Sequence, residues 1–263
     1  MTHSEAPLIL QSTANGITTL TLNQPEKRNS LSMAMLAELS RILDQVANDD
    51  GTRVLVLAAK GTAFCAGHDL REIRSQLDQK SALHELFLLC SKVMQQIVHQ
   101  PQPVIARAAG VATAAGCQLI ASCDLAIASE SARFATPGVN IGLFCSTPMV
   151  PLSRNVSRKH AMEMLLTGEM ISAHRAEQMG LVNRVVPDEE LDQAVKEIAT
   201  TIAAKSSHTL RIGKEAFYRQ LEMGLADAYQ YTSKVMTSNL EAADAQEGIC
   251  AFLDKRAPEW QDR

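Results

Sequence analysis

The chain has 263 residues and a formal charge of −4, from 25 Lys+Arg against 29 Asp+Glu, with 46% hydrophobic and 4% aromatic residues. That length fits one large domain, and folding buries ~70% of the extended-chain surface, so a core forms without disulfide or metal staples. A slightly acidic, ring-poor chain argues against nucleic-acid binding, and the longest apolar runs reach only about half of the ~20 residues a bilayer demands.

The first residues, Met-Thr-His-Ser-Glu-Ala-Pro, offer neither a basic region nor an apolar stretch, which predicts a cytoplasmic protein. Strands are predicted at 8–11 and 17–22, around a turn at Asn15-Gly16. A polar loop leads to an amphipathic helix over 32–46, where Met35, Leu36, Leu39, Ile42, Leu43 and Val46 recur at three- and four-residue spacing. The run RVLVLAA at 53–59 reads as a strand covered on both faces. Residues 61–70 read as a loop with a helix starting near Asp69, and a helix over 82–99 is stopped by Pro101 and Pro103. Another buried strand occupies 104–108, a small-residue loop 110–116, a helix 117–122 and a strand 124–129. Residues 134–142 form a loop, and from Thr147 onward the pattern is almost wholly helical. Strands alternating with helices imply an α/β core with a helical tail. The six cysteines (Cys65, Cys90, Cys117, Cys123, Cys145 and Cys250) show no CxxC spacing and read as reduced, mostly buried thiols rather than zinc ligands.

Two loops share one design. Around Gly67 and again over 110–116, a buried strand ends in small residues just before a helix begins. Such termini expose backbone N–H groups to a ligand, and two of them converging make an oxyanion hole. The alternative is that Gly and Ala merely allow close packing at strand ends.

The stretches LNQPEKRNSLS (22–32), FCAGHDLREI (64–73), AAGCQLIASCDLAIAS (114–129), FATPGVNIGL (134–143), TGEMISAHRAEQMGLVNRVVP (167–187) and EGICAFLDKRAPEW (247–260) carry a resemblance to the crotonase (enoyl-CoA hydratase/isomerase) superfamily. The resemblance covers essentially the whole chain. It implies a crotonase-like spiral of ββα units over 1–200, with the acyl-CoA site, and a C-terminal helical trimerisation region over 201–263. It also implies a homotrimer or dimer of trimers that binds acyl-CoA thioesters, with coenzyme A arriving as part of the substrate and no other cofactor. Carried over by position, the oxyanion donors are the backbone N–H groups of His68 and Ala115. Arg28, Arg71 and Lys255 fall where basic residues meet the coenzyme A phosphates and nucleotide. Ala66, Asp69 and Leu70 line the channel.

The departures from the family pattern bear on activity. Hydratases of the family use two glutamates, and the matching positions here hold Gln118 and Gly138. Losing two acid–base groups removes a contribution of ~10²–10⁴-fold, so hydration of a 2-enoyl thioester is expected to be very slow. His68, Gln118, Asn140, Cys145 and Ser146 surround the expected oxyanion hole. The AGHD loop and the Pro-Val-Asn-type stretch are similar to the family's methylmalonyl-CoA decarboxylase branch, which makes a decarboxylating lyase the best specific expectation. That branch, however, carries a tyrosine near Cys145 and a glutamate at the place of Gln118. Cys145 or Ser146 as a nucleophile would need His68 as base, giving a thioester hydrolase. A non-catalytic acyl-CoA binder or scaffold is the third reading. Asp124 reads as a structural acid held by backbone N–H groups.

Overall fold

The computed structural model describes residues 6–263. It opens with an antiparallel hairpin of β1 (Ile9–Ala14) and β2 (Ile17–Leu22), turning at Asn15-Gly16 with both residues at positive φ. Pairing continues up to that turn, so β1 extends beyond the expected 8–11. The helix α1 (Met33–Ala47) follows, with the Ser32 hydroxyl accepting the Met35 N–H as its cap. Next come β3 (Val54–Ala59), β4 (Ala63–Cys65), α2 (Leu70–Ser75) and α3 (Lys80–Val98). The middle of the chain holds β5 (Val104–Ala108), β6 (Val111–Thr113), α4 (Ala115–Ser122), β7 (Leu125–Ser129) and β8 (Arg133–Ala135). After a 3-10 turn at Pro137–Ile141 come α5 (Met149–Asn155), α6 (Arg158–Thr167), β9 (Ile171–Ser172), α7 (Ala173–Met179) and β10 (Arg184–Val186). The chain closes with α8 (Leu191–Ala203), α9 (Ser207–Gln220), α10 (Leu225–Glu241) and α11 (Ala243–Leu253).

From β3 to β8, successive strands alternate between two sheets. The larger has the order β1-β2-β3-β5-β7-β10 and is parallel beyond its first hairpin. The smaller runs β4-β6-β8-β9, parallel except at β9. A strand in each sheet and then helix make one turn of a spiral of ββα units, the α/β architecture that the resemblance implies.

The larger sheet is covered on both faces. Leu55 and Leu57 belong to the main core with Leu36, Leu39 and Leu43 of α1 and Val93 and Ile97 of α3. Val54 and Val56 face a second cluster with Leu191, Val195 and Ala199 of α8. That double cover explains the unbroken apolar run of β3.

Five further expectations need correction. The loops read at 61–70, 110–116 and 134–142 contain β4 and β6 outright and all but the first residue of β8, and the tail read as almost wholly helical contains β9 and β10. Strands of two or three residues are too short to show alternation, and β4 is buried at every position. The helix expected at 117–122 begins two residues earlier, at Ala115.

The region 201–263 is helical and is tied back to the core by polar contacts. Asp124 accepts the Val104 N–H (2.7 Å), the Lys214 ammonium (2.6 Å) and the Tyr218 hydroxyl (2.8 Å). It is a structural acid as expected, although side chains from α9 share the work with the backbone. Arg53 pairs with Asp262 at 2.5 Å, and within the region the Trp260 indole N–H donates to the Ala204 carbonyl at 2.9 Å. Among the described residues, no helix is long and apolar enough to cross a membrane.

Candidate active site at the ends of three parallel strands

The strands β4, β6 and β8 end at the same edge of the smaller sheet, the place where parallel α/β sheets present ligand-binding loops. Three segments leave that edge: 66–69, 114–118 and 136–145. Their mutual position is fixed by backbone contacts. Thr113 Oγ1 donates to the Ala66 carbonyl at 3.0 Å, and the Ala114 N–H donates to the Ala135 carbonyl at 2.9 Å. Gly67 has φ +90°, and a Cβ placed there would lie 3.0 Å from the Ala114 Cβ and 3.4 Å from the Ala115 nitrogen. Glycine is therefore needed both for its dihedral and for this contact.

A further loop braces the first segment. The Ala66 N–H donates to the Arg28 carbonyl (3.0 Å), and the Leu31 N–H to the Gly67 carbonyl (2.8 Å). Asn29, fully buried, ties the same loop down by donating to the Lys60 and Ala63 carbonyls at 2.8 and 2.9 Å. Neither the His68 N–H nor the Ala115 N–H finds an acceptor among the described residues. Ala115 is the first residue of α4, where an N–H has no intrahelical partner. The residue before it, Ala114, takes φ 50° and ψ −116°, a region that costs a non-glycine residue about 1–3 kcal/mol and is commonly found at functional sites.

The side chains around these donors are nearly all uncharged. His68 Nδ1 lies 3.2 Å from the Leu31 carbonyl and must be its donor, since a carbonyl only accepts. The neutral ring then presents Nε2 as a lone pair, which is buried and has no partner among the described residues. The imidazole meets Phe87 of α3 edge to face, with ring centroids 5.2 Å apart. Burial holds its pKa below the ordinary imidazole value, against the pull of the Leu31 carbonyl. Gln118 is buried on α4, and its Oε1 has no partner among the described residues.

Gly138 has no spare room. A Cβ there would sit 2.7 Å from the Leu143 carbonyl oxygen and 2.9 Å from Cys145 Sγ. Burial pushes the Cys145 thiol up, only partly offset by the Gly138 N–H bonded to it. The exposed Ser146 has its N–H 2.7 Å and its Oγ 3.4 Å from the Phe144 carbonyl. No hydrogen bond joins His68 to Cys145 or Ser146 among the described residues.

Asp69 is the one carboxylate on the segments 63–69, 113–118 and 134–146. It caps α2, accepting the Arg71 N–H at 2.9 Å and the Glu72 N–H at 3.3 Å. Ala66 is half-buried, whereas Leu70, Arg28, Arg71 and Lys255 are exposed. Lys255, at φ 54°, follows α11 near the chain's end. Thr136, which no motif in the sequence singles out, is fully buried, and its hydroxyl has no partner among the described residues. Its only sequence signal was its place before Pro137. Among the described residues, no group of His, Cys, Asp and Glu is arranged to hold a metal ion.

A spiral of ββα units with two free backbone donors at the strand ends defines a class, and comparison with known proteins supplies its family. The family model described as enoyl-CoA hydratase/isomerase matches residues 12–263, and the chain belongs to that family. It is 49% identical over 247 residues to the human protein named enoyl-CoA hydratase domain-containing protein 3, mitochondrial, covering 94% of this chain and 81% of the relative. The Xenopus laevis protein of the same name is 47% identical over 254 residues, covering 97% and 86%. A Mycobacterium smegmatis enoyl-CoA hydratase structure superposes with TM-score 0.95 at 50% identity, covering 97% of this chain and 99% of that one. The human protein's crystal structure superposes with TM-score 0.94 at 47% identity, covering 97% and 100%.

These relatives correct one expectation. The cytoplasmic assignment rested on the lack of a basic, apolar leader. Five relatives at 44–49% identity over nearly the full chain are named mitochondrial instead. A secretory leader is only one kind of address, and its absence does not select the cytoplasm.

Proposed function

We propose that this chain binds acyl-CoA thioesters and stabilises a thioester enolate with the backbone N–H groups of His68 and Ala115, acting as a lyase that removes CO2 from a malonyl-type thioester. The names of its relatives support the acyl-CoA class. The observation that carries the reaction is the lack of a free carboxylate on the three strand-end segments, together with the filled space at Gly138. Hydration requires a group to deprotonate water and a group to protonate C2. Decarboxylation requires neither at the bond-breaking step. The C2–carboxyl bond breaks, its electron pair forms the enolate double bond, and the thioester oxygen takes the charge into the hole.

His68 fits the closing proton transfer. A substrate carboxylate beside Nε2 favours the protonated ring, and departure of CO2 removes that support. Burial then favours release of the proton to C2. A hydrolase is less well supported, since the Cys145 thiol is held protonated by burial and, among the described residues, no base is hydrogen-bonded to Ser146. The proposal includes self-association as a homotrimer or dimer of trimers, consistent with exposed apolar side chains on the C-terminal helices such as Leu225 and Phe252.

The test is mass spectrometry of the purified protein with crotonyl-, acetyl-, malonyl- and methylmalonyl-CoA. Conversion of malonyl- or methylmalonyl-CoA to the decarboxylated thioester is expected, reduced in His68→Ala. Water addition to crotonyl-CoA at an enzymatic rate would overturn the proposal. Binding with every thioester unchanged would replace it with an acyl-CoA carrier or scaffold.

A further inference from the structure

Helix α3 packs on the core through Leu86, Cys90, Val93, Met94 and Ile97, a buried stripe at three- and four-residue spacing. Phe87 stands one position off that stripe and is 37% exposed. The part of its ring that is covered meets the His68 imidazole edge to face, with centroids 5.2 Å apart. That imidazole belongs to the residue whose backbone N–H is a proposed oxyanion donor, and the Nδ1 bond to the Leu31 carbonyl fixes where it lies. Leu83, one turn earlier on the same face of α3, is half-buried, and Leu70, two residues beyond His68, is 54% exposed. Apolar surface is therefore open to solvent beside His68. Phe87 lies outside every stretch that carries the family resemblance.

We propose that Phe87 is the platform for the carbon chain of the acyl group, so that the site selects thioesters with an apolar chain over acetyl-sized ones. The inference rests on the acyl-CoA reading and is independent of decarboxylation. A thioester whose oxygen accepts the His68 N–H brings its acyl carbons alongside that residue's own side chain. A chain that extends past the imidazole meets the open part of the Phe87 ring, and each methylene laid there leaves water for an apolar surface. The contact with His68 orders the ring before the chain arrives, which lowers the cost of binding. A polar acyl end finds no hydrogen-bond partner on Phe87 or Leu83 and gains nothing by leaving water there.

The experiment measures Kd by calorimetry for acetyl-, butyryl- and hexanoyl-CoA, which are saturated and carry no carboxyl group to lose. In the parent, affinity should rise by up to about fourfold per added methylene. Phe87→Ala should lower the hexanoyl-to-acetyl affinity ratio by about tenfold or more, and Phe87→Leu, which keeps apolar surface, should restore part of it. Phe87→Gln, which keeps length and removes apolar surface, reports the same ratio should Phe87→Ala fail to fold. A ratio near one in the parent, or one unchanged in Phe87→Ala, overturns the platform. So does a ratio that grows in Phe87→Ala, since the ring would then block the chain rather than carry it. No binding of any thioester by the parent sinks the acyl-CoA reading and the platform with it. A ratio that falls in Phe87→Ala while the parent leaves malonyl-CoA intact keeps the platform and sinks decarboxylation. CO2 release by the parent with an unchanged ratio in Phe87→Ala keeps decarboxylation and sinks the platform.

Discussion

Gly138 bears most directly on whether a hydratase lies dormant in this chain. If the pocket were an intact site lacking only its two acids, Gln118→Glu with Gly138→Glu would rearm it. The geometry opposes this, because even a Cβ at 138 would press on the Leu143 carbonyl and Cys145 Sγ, at 2.7 and 2.9 Å. The carbonyl belongs to backbone and cannot rotate aside, so the segment 143–145 must shift. We expect the double variant to lose about 1–3 kcal/mol to overpacking. We also expect its crotonyl-CoA hydration to remain within tenfold of the parent. Melting temperature and hydration rate check both, and a hundredfold rise in rate at unchanged stability would show that the segment yields. Gln118→Glu alone places a carboxylate where the site is buried, and burial would favour its protonated form.

Element by element, legibility followed length. Both α1 and α3 were readable because their buried residues repeat over several turns, and β3 because α8 covers its second face. The small sheet was not, since its strands are two or three residues long and take their identity from partners far away in sequence. The two loops proposed as the oxyanion hole were readable as small-residue loops before helices, yet their convergence depends on that unread sheet. For the same reason Thr136 escaped notice: its burial follows from β8, not from local pattern. Asp69 shows the converse, a residue assigned to the channel whose side chain caps α2. Asp69→Asn keeps an acceptor at the cap and should cost a few tenths of a kcal/mol, whereas Asp69→Ala should cost about 1 kcal/mol. Urea unfolding of the two variants separates them. Equal stability in both, with acyl-CoA binding lost in both, would assign the carboxylate to the ligand instead.

For the molecule as a whole, the question is what holds the last sixty residues against the spiral. The apolar contacts of α9 and α10 leave much of both helices exposed, so polar anchors matter more than they would in a buried core. Lys214 is the strongest of them. Its side chain is 8% exposed, and its ammonium uses three donors on the Ile97 carbonyl, the Gln102 carbonyl and Asp124. Burial pulls its pKa below the ordinary lysine value while Asp124 pulls it back up, so the ion pair works against a desolvation cost. Removing only the lysine leaves a partly buried carboxylate whose remaining donors are the Val104 N–H and the Tyr218 hydroxyl. Lys214→Met should therefore cost about 3–5 kcal/mol, the usual range for breaking one side of a buried pair. Adding Asp124→Asn removes the orphaned charge, and its amide oxygen can still accept the Val104 N–H. The double variant should recover part of the loss in urea unfolding. A double variant no more stable than Lys214→Met would mean that Lys214 acts through its two carbonyl bonds, and that the clamp is a hydrogen-bonded strap rather than an ion pair.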